Sequence, residues 1–175
     1  IRHNRKEEFI KAIESEMNDL GMSSTKFDVE IMSDEDEEGI LIVDGVNIKA
    51  NAYGIDNIEF IIAPNKQSIF QPLRKIASGG EISRIMLSLK NVLSLGDYCE
   101  TMVFDEIDVG VGGRIAEVIG EKIAALSKRK QILSVTHLAQ IAIYANTHFK
   151  VIKNEGEDNV TSTIEELNEN TRVGE

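Results

Sequence analysis

The chain has 175 residues, 42% hydrophobic and 28% charged, which suits one globular domain with a real core, or a domain plus an appendage. Its formal net charge of −11 argues against a surface that grips DNA phosphates unaided, and no apolar run approaches the roughly 18–20 residues that span a bilayer. A single cysteine, Cys99, excludes an internal disulfide and fits a reducing, cytoplasmic compartment.

The opening residues Ile1-Arg2-His3-Asn4-Arg5-Lys6 have the charge of a signal peptide but no apolar segment behind them, and no initial Met, as expected of a fragment or a processed chain. Residues 2–20 are expected to form a helix that ends at Gly21. Within it Ile10, Ile13, Met17 and Leu20 follow 3-4-3 spacing. That spacing suits either the seam of a coiled coil or the buried face of an amphipathic helix. One heptad earlier stand His3 and Lys6, so any seam is short.

Thr25–Ser33 alternates, with Phe27, Val29 and Ile31 on one face and Lys26, Asp28 and Glu30 on the other, as in a half-buried strand. The acidic run Asp34–Glu38 imitates the start of a calcium loop, but Gly45 stands where the bidentate Glu belongs. Its flanks read as strands, so a solvated hairpin loop is expected. Ile40–Val46 and Asn57–Ala63 continue as strands, and Pro64-Asn65 stops the second. From Ser78 the rhythm becomes helix 80–95, strand 101–105, helix 113–127, strand 131–135 and helix 138–146. Such alternation implies an α/β fold, a mostly parallel sheet with crossover helices. Lys128-Arg129-Lys130 falls where helix 113–127 ends and complements its dipole. Phe149–Ile152 and Val160–Ile164, joined by residues 154–158, are expected to form a closing hairpin, and 165–175 a polar tail.

Several of these elements carry chemistry. Ser78-Gly79-Gly80-Glu81 opens a helix, where two glycines allow close backbone approach and free N–H groups favour a phosphate. Thr101–Glu106 is an apolar strand that delivers two carboxylates to a sheet edge of the kind that binds ligands in open α/β folds. There Asp105 suits a magnesium ion held through water, and Glu106 suits a base that orients or deprotonates an attacking water. A strand that simply ends in solvated acids is the plainer alternative. Gly110, Gly112 and Gly113 fail the dinucleotide fingerprint, because its third glycine would fall at Ile115. Gln131–Thr136 ends in His137, which alone would be an ordinary hydrogen-bonding histidine; His3 and His148 carry no assigned role. No G-x-x-x-x-G-K-[ST] occurs, so nothing here cradles α- and β-phosphates, and the chain by itself is expected not to hydrolyse ATP.

Taken in order and spacing, Lys75–Leu87, Phe104–Gly110 and Val135–Ala142 resemble the C-terminal half of an ABC-type ATPase head of the SMC-like chromosome and repair proteins, and among these the RecN type. Glu106-Ile107-Asp108, in place of the Glu-Pro-Thr common in transporter ATPases, separates this branch from membrane pumps. The resemblance covers most of residues 60–153. It implies the C-terminal lobe of a P-loop NTPase head over 22–164, preceded by the end of a coiled-coil arm over 1–21 and followed by a tail over 165–175. It also implies ATP and Mg2+ as cofactors, a second head as homodimer partner, and an N-terminal lobe that carries the P-loop. DNA would be reached through the intact protein in the cytoplasm or nucleoid, with no membrane partner.

Under the same resemblance Ser78, Gly79, Gly80 and Glu81 are the signature that touches the γ-phosphate of ATP on the second head. Asp105 and Glu106 are the Walker B metal ligand and base. Asp108 through Gly113, Gly110 included, form the D-loop at the dimer interface, and His137 is the histidine that senses the γ-phosphate. Gly112 stands where many relatives carry the D-loop Asp. Two alternatives remain: the head of another SMC-like protein, or a module that uses nucleotide only to dimerise. Glu106 favours the enzyme.

Overall fold

A computed structural model describes residues 2–39, 41–76, 78–93, 96, 98–155, 160–168 and 171. The chain divides into two compact units, residues 1–97 and 98–175.

In the first unit, α1 (Arg2–Asp19) carries Ile13 and Met17 into a core shared with Met22, Phe27, Val29, Ile62, Ile85 and Leu89. Those two seam positions are therefore filled by the unit's own core. The helix stops in a Schellman motif: Met22 N–H donates to Met17 O at 3.0 Å and Gly21 N–H to Asn18 O at 3.1 Å, with Gly21 at φ 79°. Glu14 then ties α1 to the next element, accepting from the Phe27 amide at 3.3 Å and from Lys26 Nζ at 3.1 Å.

That element is β1 (Lys26–Ser33), antiparallel to β4 (Asp56–Ala63) in the register Lys26↔Ala63 to Ser33↔Asp56. The expected alternation holds, with Phe27 and Val29 buried. The Phe9, Phe27 and Phe60 rings pack edge-on or tilted against one another, with centroids 5.5–6.1 Å apart. Between β1 and β4 the single strand expected over 40–46 is instead a hairpin, β2 (Leu41–Val43) and β3 (Val46–Ile48); residue 40 lies outside the described residues. Its turn is Asp44-Gly45, both left-handed at φ 49° and 85°, the geometry a two-residue hairpin turn requires. The acidic loop before it is strapped down by the Asp36 amide on Asn47 O (3.0 Å) and by Asn57 Nδ2 on Asp34 (2.6 Å). A short β5 (Gln71–Pro72) lines the other edge of β4, and α2 (Gly79–Leu93) adds Ile85 and Leu89 to the core. Residues 94–95, expected to end this helix, lie outside the described residues.

The second unit begins with β6 (Thr101–Phe104), crosses through α3 (Gly113–Ser127), and returns as β7 (Gln131–Ser134). These strands pair in parallel from Thr101↔Gln131 to Phe104↔Ser134. Among the described residues this is the only parallel pair, and with its crossover helix and the antiparallel pairs it makes the mixed α/β fold that the sequence implies. A connection as long as the one through α3 is what lets β6 and β7 run in parallel. α3 buries Ala116, Ile119, Ile123 and Leu126 at helical spacing.

The helix expected over 138–146 shrinks to α4 (Ala139–Ala142). This segment and Tyr144 just beyond it lie on α3 at Gly120, where an added Cβ would meet the Tyr144 ring at 2.4 Å and Gln140 O at 3.1 Å. Finally β8 (His148–Glu155) and β9 (Val160–Leu167) pair from His148↔Leu167 to Glu155↔Val160. The strand thus takes three residues from the expected tail. Lys150↔Glu165 supplies an opposite-charge cross-strand pair, and Leu167 is buried. The rest of the tail, apart from residues 168 and 171, lies outside the described residues.

Because Ile13 is fully buried, Ile13→Ala should destabilise the first unit by about 2–5 kcal/mol in denaturant unfolding. A loss below about 0.5 kcal/mol, typical of surface positions, would show that this face of α1 is not held by the core.

Candidate functional site

The C-terminal edge of the β6–β7 pair gathers most of the sequence-selected residues. β6 alternates Met102 and Phe104 inward with Thr101 and Val103 outward, then releases Asp105 and Glu106 as exposed carboxylates. β7 ends beside it, and the Val135 amide extends the pairing to Phe104 O at 2.9 Å. Thr136 and His137 therefore leave the sheet next to the acid pair. Asp105 turns back on the chain, Oδ1 accepting from the Glu106 amide at 2.9 Å. Glu106 itself is left-handed at φ 57°, one of two such non-glycine residues among those described. That conformation costs a side-chain-bearing residue about 1–2 kcal/mol, and such strain concentrates at functional positions. It starts a tight turn in which the Val109 amide donates to Glu106 O (3.1 Å) and the Val111 amide to Asp108 O (3.3 Å), with Gly110 at φ 74°.

Asp108 departs most from its expected role. Its carboxylate is not presented at a surface for nucleotide; the residue is 4% exposed. Oδ2 accepts from Thr136 Oγ1 at 2.6 Å and from the His137 amide at 2.9 Å, and the His137 Nδ1 lies 2.9 Å from it. Thr136 Oγ1 in turn accepts from the Leu138 amide at 3.1 Å. Burial raises the Asp108 pKa, but the Thr136 hydroxyl, the His137 amide and the neighbouring imidazole outweigh it and hold the carboxyl below its ordinary range. His137 keeps its side chain 74% exposed. Sequence reasoning does not single out Thr136. The available signal is a hydroxyl one residue before a histidine at a strand end, a common local anchor for a loop.

The Ser78–Glu81 segment lies in the first unit. Ser78 caps α2: its carbonyl takes the Ile82 amide at 3.0 Å, and its Oγ accepts from the Glu81 amide at 3.4 Å. The Ser-x-x-Glu pattern is a capping box in sequence, a reading that explains Ser78 without any ligand. Ser78 is exposed, Gly79 and Glu81 half-buried, and Gly80 buried, so Gly80 serves its own unit's packing. Residue 77 of the same motif lies outside the described residues.

Among the described residues no group of three or more His, Cys, Asp or Glu is arranged to hold a metal ion. A single exposed carboxylate such as Asp105 does fit magnesium, which takes one or two protein carboxylates and completes its shell with water and phosphate oxygens. No described helix is long and apolar enough to cross a membrane.

Two consequences are measurable. Replacing Glu106 by Gly removes the left-handed strain but frees the unfolded chain, so the second unit should gain about 0.5–1 kcal/mol in thermal or denaturant unfolding; a net loss would mean that the side chain is held by contacts. Asp108, with its folded pKa below the unfolded value near 3.9, stabilises the fold above that pH and loses the contribution as pH falls through the lower, folded value. Asp108→Asn should flatten that acid limb of the stability profile. A limb of unchanged steepness would assign it to other carboxylates.

No family model matches the chain. It is 42% identical to the DNA repair protein RecN of Treponema pallidum over 169 residues, and 34% identical to that of Bacillus subtilis over 177. These alignments cover 96% and 100% of the chain but 28% and 31% of the relatives, so the chain spans about three-tenths of the length of the curated relatives it matches. Among solved structures, an Smc head domain with a coiled coil and joint from Pyrococcus yayanosii superposes with a TM-score of 0.60 at 17% identity, covering 96% of this chain and 28% of that one. Another, from work on ATP-driven dimerization and DNA-stimulated activation of SMC ATPases, gives 0.52 at 15% identity and covers 98% of this chain and 90% of that one. The fold is therefore that of an SMC head domain, and along its whole length the chain is similar to about three-tenths of these RecN proteins.

Proposed function

We propose that this chain supplies one part of an ATP-hydrolysing head in a RecN-type DNA repair protein, with ATP held between two such heads. The observation that carries the reading is the pair of adjacent parallel strand ends, one bearing Asp105 and Glu106, the other Thr136 and His137, joined through Asp108. In this reading Asp105 holds Mg2+, which neutralises charge on the phosphates. Glu106 accepts a proton from the attacking water, and His137 meets the γ-phosphate. Ser78 and Gly79, at the N-terminus of α2, face the ATP of the opposite head, where free backbone N–H groups suit a phosphate.

The RecN name of the relatives and the SMC-type fold support this assignment. RecN identities of 34–42% against 15–17% for SMC heads favour the RecN branch over another SMC-like protein. Support for a P-loop lobe from the same polypeptide comes from the outer face of β6–β7. Val103, Leu133 and Val135 are 68%, 50% and 61% exposed there, and parallel strands are ordinarily covered on both faces. The acidic surface supports DNA contact elsewhere in the intact protein, working in the cytoplasm at the nucleoid.

The test uses the intact protein. Glu106→Gln keeps the side-chain shape and removes the base, so hydrolysis should fall by about 10²–10⁴-fold while ATP binding persists and ATP-bound dimers accumulate. A drop of less than about threefold would remove Glu106 as the base. Ser78→Arg should spare nucleotide binding and block ATP-dependent head dimerisation. Because Ser78 also caps α2, Ser78→Ala serves as control: it loses the cap, about 1 kcal/mol, but keeps the surface open and should still dimerise. Equal dimerisation by Ser78→Arg and wild type would leave Ser78 as a helix cap only.

A further inference from the structure

An ionised carboxylate has only acceptor sites, so any group bonded to Asp108 Oδ2 must donate to it. Two of its three neighbours, the Thr136 hydroxyl and the His137 amide, are enough to hold a loop. Hydroxyl polarity is fixed from the other side as well, because the Leu138 amide can only donate to Thr136 Oγ1. The third neighbour, His137 Nδ1 at 2.9 Å, is not needed for any backbone turn. It constrains the ring itself: with a carboxylate at Nδ1, the proton of the neutral imidazole belongs on Nδ1, and Nε2 on the opposite edge is left for a ligand.

We propose that Asp108 is the positioning residue for His137: its buried carboxylate holds loop 136–138 and fixes the imidazole as the Nδ1–H tautomer, presenting Nε2 to the phosphoryl group. The catalytic half of this inference rests on the ATPase reading above; the geometric half does not. In this role the aspartate acts as carboxylates do behind metal-bound histidines, setting tautomer and orientation from the far side of the ring. It also ties the turn that starts at Glu106 to the loop that carries His137. A loop carrying Thr136 and His137 without Asp108 would keep its sequence but lose the ring's orientation.

The first test needs no activity. In the 15N-labelled chain at a pH where imidazoles are neutral, two-bond 1H–15N spectra distinguish Nδ1–H from Nε2–H rings. His137 should show the Nδ1–H pattern, while exposed His3 shows the Nε2–H pattern that imidazole prefers in water. Asp108→Ala should convert His137 to the His3 pattern, and Thr136→Val, which leaves the ring contact in place, should not. An Nε2–H pattern for His137 in the wild-type chain overturns the proposal outright, whether or not the alanine variant folds. In intact protein, Asp108→Asn should lower kcat for ATP about 10- to 100-fold, with KM changed far less. Unchanged kcat in that variant overturns the catalytic half. Glu106→Gln, run in parallel, keeps the two readings apart: undiminished turnover there fails the ATPase assignment, while the His137 tautomer still decides the role of Asp108.

Discussion

Asp108 Oδ2 accepts from the Thr136 hydroxyl and the His137 amide across a gap that the parallel pairing alone does not bridge. β6 and β7 are only four residues each, so their hydrogen bonds end at Phe104, Ser134 and the Val135 amide. Beyond that edge the two chains would part. The carboxylate continues the association by two more hydrogen bonds and the imidazole contact, at a buried acceptor where each bond is stronger than in water. Burying that charge would be costly without the donors. With them the carboxyl stays ionised, and the acid pair and the histidine are held as one arrangement.

The same edge places strain where chemistry is expected. Glu106 is left-handed without being glycine, and the turn after it, not the strand before it, sets that geometry. A glycine would fit the backbone better, which makes the retained carboxylate hard to explain by folding alone. Asp105 differs: it ends the strand and accepts the Glu106 amide, so its first role is to fix where Glu106 begins. In the proposed function the same carboxylate would hold the magnesium ion.

Local pattern is readable wherever one residue's neighbours in sequence are also its neighbours in space. Strand β1 follows from strict alternation, α3 from helical spacing, and the end of α1 from Gly21. Asp44-Gly45 is an equally local turn signal, but Ile40–Val46 is apolar enough around it to suggest one unbroken strand. Other features depend on contacts across the chain. α4 stops early because the segment after it turns to lie against Gly120, and nothing near residue 142 announces this. β9 runs past Ile164 because β8 supplies partners for Glu165, Glu166 and Leu167. At the site, the order of Asp105, Glu106 and His137 is legible as motif chemistry. The inward turn of Asp108 is not, since its partners lie 28 and 29 residues away.

Charge bears on the same division between sheet edge and surface. The chain carries 30 acidic against 19 basic side chains, and its one dense cationic cluster, Lys128-Arg129-Lys130, closes α3. There the Arg129 and Lys130 amides donate to Leu126 O at 3.1 and 3.2 Å, and Lys130 Nζ donates to Cys99 O at 2.6 Å. Lys130 thus returns its charge to the backbone that enters β6, and the cluster acts as a helix end of the kind the dipole favours. A basic side chain engaged in this way is poorly placed to release counterions from a DNA backbone, which is the source of most non-specific affinity. The carboxylates Asp105, Glu106 and Asp108 and the histidine His137 gather at the sheet edge, which is where the proposed function puts its chemistry. An excess of acidic side chains makes this segment itself a poor binder of a polyanion.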